Sequence, residues 1–209
     1  EEMAAENIRY MRQHQPKGPY LLAGYSGGAI TAFEMARQIE ENGEKVARLI
    51  ILDTFAPGFA EDFVPNVQIS AGQRLKHELW QLRSEGLSLS WNRGLAKLRA
   101  KLARGSFKGL VKAFSLSHYR YEMMRQAWRQ AAMGYQGAPI DIPITLLKTP
   151  PVSPVETFAF EQDPSLGWKS VVPPEKVEIV MTAGDHRSML NDPHVAALSN
   201  AIAIELTRN

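Results

Sequence analysis

Cysteine is absent from the 209-residue chain. Disulfides, thiolate catalysis and cysteine-ligated zinc are therefore excluded. No apolar run approaches the roughly 18 residues needed to cross a bilayer. The first residues, Glu1-Glu2-Met3-Ala4-Ala5-Glu6, are acidic and lack the apolar stretch of a signal peptide. A cytoplasmic protein without a membrane segment is the expectation. A large excess of one charge is missing too, since the formal net charge is +2. The composition that remains is 44% hydrophobic and 22% charged, ordinary for a globular chain and unlike a disordered or collagen-like one. At about 150 residues per domain, the length suits one domain with room for an insertion.

The charge is unevenly spread. Residues 84–133 carry ten Lys and Arg against two acids, Glu85 and Glu122. The rest of the chain is correspondingly acidic. A basic stretch of this kind could meet an acidic partner, or it could be a solvated helix face. No recognised nucleic-acid motif accompanies it, so no nucleic-acid partner is expected.

Four segments read as buried strands: Tyr20 to Tyr25, Val46 to Leu52, Ile142 to Lys148 and Val177 to Thr182. The second is nearly continuous in apolar residues, which suits a parallel strand covered on both faces. Helical patterns alternate with them. Ala4 to Gln13 stops before Pro16-Lys17-Gly18-Pro19, and Gly27 to Glu41 stops at Asn42-Gly43. Asp192 to Thr207 closes the chain, with Asp192 as cap, Pro193 at the first position and an apolar stripe of Val195, Leu198, Ile202 and Leu206. Such alternation predicts a parallel α/β sheet with helices on both faces. Residues 54–141 far exceed the dozen or so that a crossover needs. Within them Ala71 to Ser84, Trp91 to Ala103 and Ser117 to Met133 have helical periodicity. The expected organisation is a core of residues 1–58 and 138–209 with a helical lid inserted at 59–137. Residues 149–154 read as a loop and 155–173 as mostly irregular.

Gly24-Tyr25-Ser26-Gly27-Gly28 matches G-x-S-x-G where a predicted strand meets a predicted helix. That context supplies a sharp turn, which lifts the Ser26 hydroxyl out of the sheet, and glycines at its flanks allow close backbone approach. The Gly27 N–H would point at a developing oxyanion, aided by the helix dipole. Asp53 follows the next strand, and a right-handed crossover puts both strands in one parallel sheet. Ser26 and Asp53 then emerge at its carboxyl edge, where open α/β sheets bind ligands. Asp53 could instead simply open a turn; Glu156, Glu161 and Asp163 are the next carboxylates in line. His186 follows the last strand on a loop with a permissive Gly184 and completes the order Ser, Asp, His. Asp185, its neighbour, is poorly placed to orient the ring and reads as a loop former. His14, His77, His118 and His194 fall on predicted helices or at a helix boundary. These residues predict acyl transfer in which Ser26 attacks, His186 moves the proton and Asp53 fixes the imidazole.

The stretch Gly18 to Ile39, the strand and acid of Val46 to Pro57, Leu166-Gly167-Trp168 and Gly184 to Leu190 resemble a thioesterase domain of polyketide or non-ribosomal peptide synthases, in the α/β-hydrolase superfamily. The similarity runs over about residues 5–57 and 140–206; the insertion resembles the family's lid only in position and helicity. The resemblance implies release of an acyl chain, polyketide or peptide, by hydrolysis or macrocyclisation. It implies no cofactor of the domain's own, because the chain arrives on the phosphopantetheine of an acyl or peptidyl carrier protein. The family's carrier partner is acidic, compatible with a basic lid. Gly27 stands where such domains often have a larger side chain. The resemblance also implies that the N-terminal strands of the family's sheet, with the second oxyanion donor, are missing here, leaving the nucleophile strand at an open edge. Phe59, Phe63, Trp80, Trp91, Tyr119 and Met123 are candidate acyl contacts. Another serine esterase, or a non-catalytic module on the same fold, are the alternatives.

Overall fold

Leu49-Ile50-Ile51-Leu52 must hide apolar side chains on alternate sides of a strand, so that strand needs cover on both faces. The computed structural model supplies it; it describes residues 1–59, 72, 127, 130–132 and 134–208. Helix α1 (Glu2–His14), β1 (Tyr20–Tyr25), α2 (Gly27–Glu41), β2 (Val46–Leu52) and β3 (Ile144–Lys148) come first. Helices α3 (Pro154–Gln162) and α4 (Trp168–Val171), strand β4 (Val177–Met181) and α5 (Val195–Thr207) follow. The four strands form one parallel sheet in the order β1-β2-β3-β4.

Leu49 and Ile51 point to one face with Ile144 and Leu146, and pack with Phe33, Ala36 and Ile39 of α2. Ile50 and Leu52 point to the other with Leu147, and pack with Met189 of the loop after β4 and with Leu198 of α5. The period of two thus divides one apolar run between two cores. At about 25 cal/mol per Å² of apolar surface, this two-sided burial is the main stabilising term. Strands β1 and β4 are the sheet edges among the described residues, and Leu21 and Ala23 of β1 are exposed. No described helix is long and apolar enough to cross a membrane.

Two expectations fail. Helix α5 begins at Val195 rather than Asp192, because His194 and Val195 both donate their N–H to the Asn191 carbonyl in a preceding turn. Its stripe is also shorter: Leu206 is exposed and Glu205 is buried in its place. That carboxylate is held by Thr145 Oγ1 at 2.6 Å and Arg48 at 3.3 Å. Residues 155–173 are not irregular but contain α3 and α4. Ser153 caps α3 by accepting the Glu156 N–H at 3.2 Å, with Pro154 in the first turn.

The chain divides into two compact units, Glu1–Val67 with Arg129–Asn209, and Gln68–Trp128. The three helices expected between residues 71 and 133, the basic stretch, and Phe63, Trp80, Trp91, Tyr119 and Met123 lie outside the described residues, as does almost all of the 59–137 lid. His77 and His118 lie outside them too.

Candidate active site

Strand β1 ends at Tyr25 and α2 begins at Gly27, so Ser26 must reverse the chain alone. Its φ of 51° and ψ of −127° are strained for a residue with a Cβ. The turn closes because Gly24 lets the helix come near; a Cβ there would lie 2.4 Å from Ala29 Cα. The second glycine of the motif is different, since a Cβ on Gly28 would meet open space. Gly27, the first helical residue, has an N–H without an acceptor inside the helix.

Asp53 leaves β2, the neighbour of β1, also with a positive φ of 50°. Thr54 ties the two turns together, its Oγ1 donating to the Leu52 carbonyl at 2.9 Å and reaching the Ser26 carbonyl at 3.3 Å. Trp168, fully buried beside Phe33, donates Nε1–H to the Thr54 carbonyl at 2.7 Å. Trp168 of α4 therefore braces the acid's loop, with Phe33 of α2 packed against the indole.

His186 stands on the loop after β4. Its Nδ1 lies 3.1 Å from Asp53 Oδ2 and 3.0 Å from the Asp53 backbone carbonyl. Both neighbours can only accept, so Nδ1 is the donor, and in the neutral ring the lone pair is on Nε2. The ring stacks on Tyr25 with centroids 4.9 Å apart, and the Tyr25 hydroxyl donates to the His186 carbonyl. Burial and the Asp53 carboxylate raise the Tyr25 phenol, keeping it a donor. Gly184 sits at φ 88° as its loop requires, and a Cβ there would press on the His194 ring at 2.9 Å. Asp185 is a loop former: its Oδ1 accepts the N–H groups of Arg187 and Ser188.

The acid is almost sealed from water while the ring is open to it, with side-chain exposures of 4% and 35%. Burial alone would raise the Asp53 carboxyl. The His186 hydrogen bond, then Lys148 through its hydrogen bond and charge, then the Thr149 N–H outweigh it and hold the carboxyl at about 2. Asp53 is therefore an ionised acceptor at neutral pH.

The structure brings His186 and Asp53 into direct contact. Among the described residues no hydrogen bond joins the Ser26 hydroxyl to His186; the serine meets the pair through its neighbour Tyr25 and through Thr54. Two of the other candidate carboxylates have other work, and Glu161 lies exposed on α3. Glu156 Oε2 accepts the Val152 N–H, and Asp163 holds the turn at Ser165 and Gly167. His14 ends α1 and His194 caps α5. Sequence reasoning missed Lys148 and the roles of Tyr25 and Thr54. Tyr25 occupies a free slot of the motif, and the Lys148–Asp53 contact spans 95 residues of chain.

Residues 1–91 match the family model of the thioesterase domain. Over 222 residues the chain is 29% identical to indigoidine synthase of Dickeya dadantii, covering 96% of this chain and 14% of that protein. It is 27% identical over 232 residues to orsellinic acid synthase of Emericella nidulans, covering all of this chain and 10% of that one. The chain thus spans a small part of these relatives. In fold it matches the NocB thioesterase domain from the nocardicin cluster, with a TM-score of 0.62 at 20% identity over 99% of this chain and 73% of that one. It also matches the thioesterase domain SrfTE, described in the cyclization of surfactin, with a TM-score of 0.59 at 16% identity over 100% of this chain and 76% of that one.

Proposed function

We propose, from a chain that carries thioesterase-domain sequence on an α/β-hydrolase sheet, that Ser26, His186 and Asp53 release an acyl chain from a thioester through an acyl-enzyme. The observation that carries this reading is the Asp53–His186 contact at the carboxyl edge beside the strained Ser26 turn. His186 Nε2 accepts the Ser26 proton as Oγ attacks the acyl carbon. The Gly27 N–H stabilises the oxyanion, and the thiol leaves with the proton from His186. The ester on Ser26 is then opened by water, giving a free acid, or by a hydroxyl or amine of the chain itself, giving a ring. The acyl group is a polyketide or peptide, delivered on the phosphopantetheine of an acyl or peptidyl carrier protein. The long synthases among the relatives support that partner and substrate class.

The test follows a long-chain acyl-pantetheine thioester by chromatography beside the matching oxygen ester. The wild type consumes the thioester preferentially, and Ser26→Ala lowers turnover by about 10⁶, the usual cost of removing such a nucleophile. Turnover that survives Ser26→Ala would contradict the mechanism. Preference for the oxygen ester would make the chain a different serine esterase.

A further inference from the structure

We infer that Lys148 is a positioning residue for the acid of this site: its ammonium takes one oxygen of Asp53, assigns the other to His186 and offsets part of the carboxylate's charge. The inference rests on the function proposed above. Lys148 ends β3, the strand beside the acid's own, with its side chain only 4% exposed. Its Nζ donates to Asp53 Oδ1 at 2.6 Å and to the Thr149 carbonyl at 2.6 Å. The Thr149 N–H donates to the same Oδ1 at 3.0 Å. Two donors therefore occupy Oδ1, and Oδ2 is left to His186 Nδ1. The carboxylate cannot turn without giving up both.

A lysine is an expensive choice for this task. Burying an ammonium and a carboxylate together seldom adds stability over apolar packing of the same volume. The pair lies, however, on the one carboxylate that faces the reacting imidazole. A full positive charge there offsets part of the carboxylate's negative charge on the side away from the imidazole. Among the described residues, the groups around the pair are few. Lys148 comes from β3, Tyr25 from β1, and His186, Asp185 and Arg187 from the loop after β4. The Phe160 ring of α3 lies 6.0 Å from Nζ and is uncharged. Of these, Lys148 alone is a cation bonded to the carboxylate's far oxygen.

The test measures kcat, KM and the pH profile of thioester turnover for wild type, Lys148→Gln and Lys148→Arg, with Ser26→Ala alongside. Glutamine keeps a donor and removes the charge. Its acid limb moves up by about one pH unit, a tenfold loss at the foot of the limb, with KM unchanged. Arginine keeps the charge and leaves the limb with the wild type. The His186 ring signal, followed by NMR in Lys148→Gln, moves in the same direction without relying on turnover. A Lys148→Gln variant that is less heat-stable but keeps the wild-type limb would make Lys148 merely structural and overturn the inference. So would an arginine limb displaced as far as the glutamine one. Turnover persisting in Ser26→Ala would instead overturn the site reading, a separate failure.

Discussion

Three carboxylates are buried among the described residues, Glu34, Asp53 and Glu205, and two of them, Asp53 and Glu34, are held ionised well below their usual range. Burial opposes ionisation of Glu34, but hydrogen bonds from Arg37, Tyr135 and Gln38 and the charge of Arg37 hold it at about 2. Both folded values lie below the ordinary ones of 3.8 and 4.5. The unfolded chain therefore binds more protons than the folded one between about pH 4.5 and pH 2. The stability these groups contribute is complete above that window and is lost as pH falls through it. Thermal unfolding should show a level Tm above pH 5 and a decline below it, with a shallower decline in Glu34→Gln. An equal slope in the variant would mean that Glu34 is not held as described. Neither carboxylate announces itself in sequence. Glu34 looks like any helix acid until Tyr135 returns from far along the chain, and Asp53 looks like a turn residue until His186 arrives.

Elements were legible where a local signal bounded them. Strand β1, helix α2 and strand β2 have the limits expected of them, because prolines and glycines punctuate the chain on each side and the apolar runs between are continuous. Helix α5 was legible in existence but not in start. Asp192-Pro193 has the chemistry of a cap, yet the carbonyl of Asn191 already takes the two N–H groups that such a cap would serve. Helix α3 was missed although Ser153-Pro154-Val155-Glu156 carries a cap signature; the prolines before it suggested a loop. That cap gives a direct check. Ser153→Ala should cost about 1 kcal/mol, lowering Tm by roughly 2–4 °C in a chain of this size, and Ser153→Asp should recover it. An unchanged Tm in the alanine variant would mean the cap is redundant with the Glu156–Val152 bond.

At the scale of the molecule, the parallel sheet does the positioning. Three successive strand ends deliver Ser26, Asp53 and Lys148 to one edge, and the loop after the fourth brings His186 over them. This order was readable because parallel crossovers have one hand and place consecutive strands side by side. The helices expected between residues 71 and 133 lie outside the described residues, and leucines repeating at three and four residues say which face is apolar but not what it covers. On the mechanism proposed here one serine, at this edge, is activated by His186 and Asp53. A serine-reactive fluorophosphonate followed by intact-mass and peptide mapping tests it most directly. The wild type should take one adduct, on the peptide containing Ser26, with His186→Ala labelling at least about a hundredfold more slowly. Labelling elsewhere, or equal labelling of Ser26→Ala, would contradict it.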